Sequence, residues 1–563
     1  MEWGSSPKPE RSTSGRAGYP LFRALGHIAS FSLIAFVIVQ QIFAIWITLT
    51  LDPFEWVEFF QDDAYYYLGI ARNMAEHGIS AFSLPIETNG YQPLWLMILS
   101  IAAKIVEGDR VLLVVLTHAL ELAAIIGFMV LSRRHYGCAW PAALAILLFP
   151  NIMTSGMETV LIPPLAILYF QSRTWQRRGL FASLLFLSRL DALALVAGHA
   201  LYDLILRRRI DWREHAILLV TVVSYFALNY FFFGSPVPVS GLAKAVGNVP
   251  GENLPTGLRL LHRLLPTLIV LTPLALLRLR RNYSFRNPAA LTACLIAVTA
   301  SALYYGVFSG WPLWSWYLWA VMLAVYFVLV ELAGIESRLT ERYFVMGGPG
   351  RIIGLIVLLS HISAAFWIYH GRFWPLGERY NGVVEVEVFF ERDNVLVAQA
   401  LNRTDPGRTT FVMGDRAGSL GYFLDDRFRF IQLEGLVGSY EQIKAMRADM
   451  TVDYIDALSP DWLIVDRNEN LQVIDGQFVV EEPYQGLSVR EGAYILCFPF
   501  TARIPSSAFG SRRDTRYFFR FSARQDCSPV ALDWFEEWRS KYHGPIRGDL
   551  GRLPAFMDFL GGS

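Results

Sequence analysis

A succession of apolar runs, separated by short charged segments, fills the chain from about residue 28 to residue 370. The first run, Ile28–Thr50, exceeds the roughly 20 residues that a helix needs to cross a bilayer, and no small-residue cleavage site follows it. Only 17% of the residues are charged, against about 25% in an ordinary soluble chain. The sequence therefore predicts a mainly α, polytopic transmembrane protein. Its formal net charge of +0 argues against a nucleic-acid partner, which would require a basic excess.

The distribution of polar residues divides the chain into three regions. Residues 1–27 are polar and basic and predict a cytoplasmic tail, and residues 28–370 form the predicted transmembrane domain. In residues 371–563, short β-rich runs alternate with Gly and Asp turns, which predicts a soluble α+β domain. Cys497 and Cys527 fall in this domain and are candidates for a disulfide. The predicted strands are Thr410–Met413, Phe428–Leu433, Trp462–Val465 and Tyr494–Phe500.

Arginine-rich segments set the predicted topology. Clusters such as Arg133-Arg134 and Arg207-Arg208-Arg209 should face the cytoplasm, and loops poor in basic residues should lie outside. About eleven spans satisfy this rule, and an odd number of crossings places the C-terminal domain outside the cytoplasm. Leu94–Ala103 is too short to span, and we interpret it as an interfacial or re-entrant helix. The predicted spans are 28–50, 111–131, 139–151, 158–171, 179–188, 191–206, 215–233, 258–278, 288–308, 314–334 and 351–370.

The first external loop, residues 51–92, contains the densest polar cluster of the predicted transmembrane domain. Asp62 and Asp63 stand at the start of a predicted helix that runs to Glu76. An acidic pair at a helix N-terminus has a purely structural explanation, because the helix dipole favours anions there and an amphipathic helix can lie on the membrane surface. The same pair could instead serve acid–base catalysis. The pair alone leaves both interpretations open.

Further ionisable residues stand at the external ends of predicted spans. Charge at membrane depth is costly and marks functional sites, although Glu158 could be a helix first-turn charge and Arg189 could form a structural ion pair with Asp191. The predicted topology places these residues, together with Lys244, on the same face as the acidic pair. A carboxylate there could deprotonate an acceptor hydroxyl, while Arg and Lys could neutralise a phosphate leaving group.

Several motifs follow one another in a defined order. They are Asp62-Asp63-Ala64-Tyr65, Asn89–Trp95, Gly156–Thr159, Arg189-Leu190-Asp191, Gly234 with Pro238, Ser240 and Lys244, and, in the C-terminal domain, Gly414–Phe423 followed by Glu434-Gly435-Leu436. Together they resemble the C-type (GT-C) membrane glycosyltransferase superfamily, whose members take sugars from polyprenyl- or dolichyl-linked donors. They are most similar to bacterial arabinofuranosyltransferases that use decaprenyl-phospho-arabinose. Leu190 stands where that family usually has Pro, and Val239-Ser240 where it has Asn-Thr, which leaves the sugar and the acceptor open.

The resemblance implies a GT-C fold and an inverting transfer in one displacement. Asp62 would take the proton from the acceptor hydroxyl, and Asp63 would orient the acceptor or tune Asp62. The donor phosphate would be bound by Arg189, Lys244 and Arg72, although Arg72 could instead meet lipid headgroups. A divalent cation, Mg²⁺ or Mn²⁺, is left open, with Asp62, Asp63 and Glu158 as its candidate ligands. The other expected substrate-binding residues are Glu158, Asn89, Tyr91, Gln92 and Asp191.

The resemblance also implies partners and a location. We expect a polyprenyl-phosphate sugar donor, a cell-envelope glycan acceptor, surrounding membrane lipids and no nucleic acid. The expected location is the bacterial inner (plasma) membrane, with a cytoplasmic N-terminus and a periplasmic or extracellular C-terminal domain. Two alternatives stay open: a transporter or flippase of lipid-linked sugars, and a member of the same superfamily that glycosylates protein or lipid.

Two other groups in the predicted spans have structural interpretations. His118 and Glu121 lie at i and i+3 on one helix face, and we expect a buried polar contact between them. A cluster of aromatic residues at an external span end indicates an interface belt, with sugar stacking as the less favoured alternative. The aromatic residues are Trp311, Trp314, Trp316, Tyr317 and Trp319.

Overall fold

The computed structural model describes residues 19–208, 211–246, 250–251, 253–264, 285–309, 311, 313–343, 390–403, 409–414, 416–448, 450–465, 471–474, 477–480, 496–502 and 516–521. Several predictions lie outside the described residues. These are the tail up to residue 18, most of the span 258–278, the span 351–370, Asp415 and the pairing of Cys497 with Cys527.

The described chain is mainly helical, as predicted. Five of its helices are long and apolar enough to cross a membrane. Four other predicted spans, near 139–151, 158–171, 179–188 and 191–206, are shorter or interrupted helices. Leu94–Ala103 lies within an apolar helix of 13 residues. The five long helices are Ser30–Thr50, Arg110–Tyr136, Trp212–Phe233, Pro288–Phe308 and Ser315–Gly334.

The membrane half, as far as it is described between residues 19 and 343, consists of helices that are joined mostly by short turns and, after His77, by the longer segment 78–92. In chain order the helices are α1 (Tyr19–Thr50), α2 (Pro53–Trp56), α3 (Asp62–His77), α4 (Pro93–Ile105), α5 (Arg110–Tyr136), α6 (Trp140–Leu148), α7 (Pro150–Met153), α8 (Ile162–Gln171), α9 (Trp175–Ser188), α10 (Leu193–Tyr202), α11 (Trp212–Phe233), α12 (Val239–Ala243), α13 (Leu254–His262), α14 (Pro288–Leu303) and α15 (Trp319–Tyr343). Turns of 3₁₀ helix at Val57–Phe59, Glu158–Leu161, Leu190–Ala192 and Ser315–Leu318, and of π-helix at Asp203–Arg207 and Tyr304–Phe308, join or extend them.

Two of the long helices present apolar side chains to the surroundings. On α1, Phe31 is 72% exposed, and on α11, Val220 is 65% and Phe231 is 79% exposed. A folded protein in water rarely leaves so many large apolar side chains uncovered along one helix. These surfaces suit contact with lipid, whereas α15 lies mostly inside the helix assembly.

Close helix–helix packing in the interior depends on small residues. Gly198 on α10 faces Ala293 on α14, and a Cβ atom added at Gly198 would lie 2.9 Å from the Cα atom of Ala293 and 3.1 Å from its carbonyl oxygen. Without a strong hydrophobic driving force between helices in lipid, such small-residue contacts carry much of the packing.

The C-terminal part contains a mixed sheet flanked by helices. Its helices are α16 (Phe390–Asn402), α17 (Gly418–Phe423), α18 (Tyr440–Arg447) and α19 (Thr451–Leu458). Its strands are β1 (Thr410–Met413), β2 (Arg429–Gln432), β3 (Trp462–Val465), β4 (Leu471–Ile474), β5 (Gln477–Val480), β6 (Leu496–Ala502) and β7 (Arg516–Phe521). The five-stranded sheet has the order β2-β1-β3-β7-β6; β1 is parallel to β2 and β3, and β7 is antiparallel to β3 and β6. A separate antiparallel hairpin joins β4 and β5.

The sheet domain is docked on the loop that follows α1, residues 51–92. Asp426 forms ion pairs with Arg72 of α3 and Arg110 of α5, and the Tyr422 hydroxyl donates to the Arg110 carbonyl at 2.7 Å. The backbone N–H of Gln432 donates to the Ser83 hydroxyl at 3.3 Å. These contacts hold the domain against the loop that carries the acidic pair.

We expect Gly198→Ala to lower the midpoint of thermal unfolding in detergent, because the added methyl group must push α10 away from α14. Overpacking of this kind costs about 1–3 kcal/mol. The control is Gly127→Ala on α5, where an added Cβ has no atom within 4 Å. Equal midpoints for both variants would contradict the described packing.

Candidate functional site

A cavity lies where the loop of residues 51–92 meets the ends of several helices and the C-terminal domain. Its charged lining consists of Asp63, Glu158, Arg189 and Lys244. Tyr91 and Gln92 also line it. Six of the ten residues predicted from the sequence for the site are therefore brought together here.

Asp63 lines the cavity, and in the part of the chain that the structure describes its carboxylate has no hydrogen-bond or ion-pair partner. It stands in the first turn of α3, where the unpaired backbone N–H groups favour an anion and where Gln61 takes the N-cap position. No described residue donates a hydrogen bond to the Asp63 carboxylate. Burial raises the pKa of Asp63 to about 7; Lys244 and Arg189 act to lower it, and Asp62 and Glu158 to raise it. A carboxylate with a pKa near neutrality suits a general base.

Arg189 is the centre of a buried ion network. Its Nη1 donates to Glu158 Oε1 at 2.5 Å, and its Nε and Nη2 donate to the two carboxylate oxygens of Asp191 at 2.9 and 3.0 Å. The indole N–H of Trp319 donates to Asp191 at 3.2 Å. Three of the five guanidinium N–H groups are thus used, and the predicted ion pair of Arg189 with Asp191 is present.

The chain reaches this geometry through a break between two helices. Helix α9 ends at Ser188, and Arg189 is extended, with φ −154° and ψ 127°. The 3₁₀ turn Leu190–Ala192 follows, and the side-chain carbonyl of Gln92 accepts a hydrogen bond from the Leu190 N–H at 3.2 Å. Irregular backbone at this depth requires such partners, so Gln92 both lines the cavity and supports the break.

Lys244 is the cation of the cavity that has no carboxylate in hydrogen-bond contact among the described residues. It follows α12 directly, and its ammonium donates to the Tyr317 hydroxyl at 2.8 Å. The ammonium also lies 5.1 Å from the centre of the Tyr317 ring and 5.8 Å from that of Trp311, within cation–π range. This aromatic surround leaves its charge available to an anion.

Tyr91 and Asn89 hold the loop in shape. The Tyr91 hydroxyl accepts a hydrogen bond from Ser80 at 2.9 Å. Asn89 is buried, its amide donates to Asn229 at 3.0 Å, and its carbonyl accepts from the Val239 N–H at 2.9 Å. Asn89 therefore fixes the segment that leads to Lys244 and does not line the cavity itself.

The predicted role of Asp62 requires correction. Its side chain is buried and turned away from the cavity, towards the start of α17. One oxygen accepts from the Gly418 N–H at 2.8 Å, and the other accepts from the N–H and the hydroxyl of Ser419, both at 2.8 Å. A hydroxyl group in the cavity cannot approach a carboxylate enclosed in this way, and Asp63 is the member of the pair that lines the cavity.

Arg72 also lies elsewhere than predicted. Its guanidinium pairs with Asp426 and Glu76 and donates to the Gly108 carbonyl at 3.1 Å. It is not among the residues that line the cavity. Arg72 therefore lies at the contact with the C-terminal domain, and not in the cavity where the donor phosphate is expected.

Aromatic residues supply a wall of the cavity that the sequence interpretation assigned to the membrane interface. Trp316 and Tyr317 are 5% and 3% exposed and line the cavity, and Trp319 is fully buried against Asp191. The interface-belt interpretation is wrong for these three residues. The spacing of these aromatic residues in the sequence does not distinguish a membrane-interface belt from the wall of a cavity.

Several residues that line the cavity were not predicted as site residues. One is Tyr67, whose hydroxyl accepts a hydrogen bond from the Gln92 N–H at 2.9 Å; no feature of the sequence distinguishes it from its neighbours. Leu436 and Val437 of the C-terminal domain also line the cavity. Only the resemblance at Glu434-Gly435-Leu436 could have drawn attention to that segment.

The predicted polar contact between His118 and Glu121 is present, and it lies next to the turn that precedes Glu158. The His118 Nδ1 atom lies 3.3 Å from Glu121 Oε2, and the other carboxylate oxygen accepts from the Gly156 N–H at 2.6 Å. The Gly156 carbonyl in turn accepts from the indole N–H of Trp95 at 2.9 Å. These bonds fix the turn that leads to Glu158.

The three carboxylates considered as metal ligands do not fit a shared cation. Asp62 is occupied by Gly418 and Ser419, and Glu158 by Arg189. Within the described part of the chain, no group of three or more His, Cys, Asp or Glu side chains is arranged to hold a metal ion.

Comparison of the sequence with protein-family models finds no match, and comparison with curated proteins finds no significant match.

The two neighbouring aspartates should respond oppositely to conversion to asparagine. Because burial raises the pKa of Asp63, its ionisation at pH 8 opposes folding, and Asp63→Asn should raise the thermal midpoint there. As the pH falls below 7 the folded carboxyl takes up a proton and the difference should shrink; it should vanish only near the ordinary pKa of 3.8, below which the carboxyl is protonated in the unfolded chain as well. Burial raises the pKa of Asp62 as well, but its carboxylate accepts three hydrogen bonds that Asn cannot all replace. Asp62→Asn should therefore lower the midpoint at pH 8 by the equivalent of about 1–3 kcal/mol, since an NH₂ group then meets a buried N–H donor. A lower midpoint for Asp63→Asn at pH 8 would contradict this assignment.

Proposed function

We propose that this protein is a membrane glycosyltransferase that moves a sugar from a polyprenyl-phosphate donor to a glycan hydroxyl. The observation that carries the proposal is the presence, in one cavity, of a carboxylate and an ammonium that have no ionic partner in hydrogen-bond contact among the described residues, Asp63 and Lys244. The transfer needs one base and one anion-binding group at these two places. The motif resemblance to C-type membrane glycosyltransferases adds to this support.

The proposed chemistry is a single displacement with inversion. Asp63 takes the proton of the acceptor hydroxyl while that oxygen attacks the anomeric carbon of the donor sugar. The bond from the anomeric carbon to the phosphate oxygen breaks, and its electron pair leaves with the lipid phosphate. The new glycosidic bond forms on the opposite face of the sugar, and the proton on Asp63 returns to solvent.

Lys244 is the proposed anchor of the donor phosphate. Its ammonium would offset the negative charge that develops on the leaving oxygen, as positioned cations do in other transfer reactions. Arg189 has a different proposed role, because Glu158 and Asp191 already neutralise its charge. Only its remaining N–H groups would reach the phosphate, and its main contribution would be to hold the cavity open.

The aromatic wall fits the proposed substrate. Trp316 and Tyr317 can receive the apolar face of a sugar ring, as large flat side chains with low conformational freedom do. Arabinofuranose is the candidate sugar and an envelope glycan the candidate acceptor, and the bacterial inner membrane with an external C-terminal domain is the proposed location. These finer assignments rest on the motif resemblance.

Transfer should depend on Asp63 and Lys244 in different ways. The assay incubates purified protein with radiolabelled polyprenyl-phosphate sugars, arabinofuranose among them, and scores release of polyprenyl phosphate. Asp63→Asn should lower kcat by about 10²–10⁴-fold, the usual contribution of a positioned base. Lys244→Gln should lower kcat/KM for the donor by about 10–100-fold, the value of one charge-assisted hydrogen bond.

Matched surface variants separate these effects from general damage. Lys444→Gln changes an exposed lysine that pairs with Glu441 on α18, and Asp425→Asn changes an exposed carboxylate of the C-terminal domain; both should retain wild-type turnover. Full activity of Asp63→Asn would refute the assignment of the base. Saturable binding of a lipid-linked sugar with no release from any donor would favour the transporter alternative.

The rate should follow the ionisation of Asp63. The base must be ionised to accept a proton, and burial places the pKa of Asp63 at about 7, with Lys244, Arg189, Asp62 and Glu158 as the charged groups around it. We expect kcat/KM to fall about tenfold per pH unit below 7 and to level off above it. A profile that is flat between pH 5.5 and pH 8 would count against Asp63 as the base.

A further inference from the structure

Asp62 is the member of the acidic pair that does not face the cavity, and its contacts indicate another role. We propose that Asp62 is a positioning residue that fastens the C-terminal domain to the first turn of α3, and that transfer requires this attachment because it sets the place of Asp63 and of one cavity wall. The attachment is a matter of geometry alone, whereas its effect on transfer rests on the function proposed above.

The attachment joins Asp62 to the beginning of α17. The first backbone N–H groups of a helix have no partner within the helix, and Asp62 accepts those of Gly418 and Ser419, each at 2.8 Å. The Ser419 hydroxyl donates to Asp62 at 2.8 Å and accepts from the Asn394 amide at 2.8 Å. A chain of hydrogen bonds therefore runs from α16 through Ser419 to the acidic pair.

The two backbones meet so closely that only glycine fits at the contact. A Cβ atom added at Gly418 would lie 2.3 Å from the Asp62 carbonyl oxygen and 2.8 Å from its carboxylate. The residue next to Asp62 in the chain is Asp63, so any displacement of this contact moves the first turn of α3. The position of the proposed base is thus tied to the domain through a single peptide unit.

The same domain supplies a wall of the cavity. Leu436 and Val437 line the cavity, and a Cβ atom added at Gly90 would lie 1.8 Å from the Leu436 carbonyl oxygen. The domain therefore touches the first external loop on both sides of the proposed base. Loss of the Asp62 contact would open this wall of the cavity and would shift Asp63 at the same time.

The rest of the interface allows this attachment to be tested without loss of the fold. Arg72 and Arg110 hold Asp426, and Tyr422 bonds to the Arg110 carbonyl, at contacts that do not involve Asp62. A variant that loses the Asp62 contact should therefore keep the domain folded and next to the loop, with only its placement altered.

The decisive variants lie on the domain side of the contact, because they leave both aspartates intact. Gly418→Ala should lower kcat about 100-fold, the effect of a displacement of about 1 Å at a reacting group, while the donor KM stays near the wild-type value because Lys244 is untouched. Ser419→Ala keeps both backbone N–H bonds and should lose about tenfold. The matched control, Gly127→Ala, should have wild-type kcat, since an added Cβ there meets no atom within 4 Å.

Two variants of Asp62 distinguish positioning from proton transfer. Asp62→Asn keeps one acceptor oxygen for Ser419 and should retain more activity than Asp62→Ala, which keeps none. If Asp62 were itself the base, both variants would be equally inactive. An unchanged kcat in Gly418→Ala would show that transfer does not depend on the attachment. Either of these last two results would overturn the proposal.

Hydrogen exchange of the full-length protein tests the attachment independently of turnover. Peptides covering residues 417–424 should exchange slowly in the wild type and in Asp63→Asn, and quickly in Asp62→Ala, because the Gly418 and Ser419 amides then lose their acceptor. Unchanged protection in Asp62→Ala would overturn the attachment. If the wild type releases no polyprenyl phosphate from any donor, the transferase function fails, and the exchange result alone still decides whether Asp62 holds the domain.

Discussion

The site depends most on the ion pairs that the Arg189 guanidinium forms. The guanidinium brings together Glu158 and Asp191, which arrive from two different breaks in the helices of the membrane half. A buried charge costs several kcal/mol to desolvate, and removal of one partner from such a network typically costs about 3–5 kcal/mol. The helix break at Arg189 and the turn at Glu158 are therefore held in place by each other, and the cavity lies between them.

The remaining functional groups also lie at helix ends. Asp63 is in the first turn of α3, and Lys244 follows the last residue of α12. Helix ends are the places where a membrane protein has unpaired backbone groups and can accommodate polar side chains without breaking a continuous apolar span. The interrupted helices of this fold thus produce the polar cavity as a consequence of their interruptions.

Sequence reasoning located the group of site residues but not the orientation of each. Charges at the external ends of predicted spans identified Glu158, Arg189 and Lys244, because charge at such positions is rare and needs a reason. The sequence could not show which of the two adjacent aspartates faces the cavity. Neighbouring residues of a helix point about 100° apart, and which of them faces the cavity depends on how α3 packs against the C-terminal domain. Arg72 was misassigned because its partner, Asp426, is 354 residues away in the sequence.

The span predictions show the same limit. Length and hydropathy identify the five long helices, since those properties are local to each segment. Proline at Pro150 and charge at Arg189 end helices early, and a hydropathy pattern alone does not show where the chain turns back. Burial of Trp316 and Tyr317 likewise depends on the neighbours that the fold brings to them.

The uncovered surface of α11 has a consequence for how a substrate could arrive. Most of this helix is exposed along its apolar length, and it ends at Phe233, a few residues before the segment that carries Lys244. If the donor is a lipid, its tail can lie along this helix while its headgroup reaches the ammonium from the side. The molecule would then be found by diffusion within a leaflet, and its capture would not require the lipid to leave the bilayer.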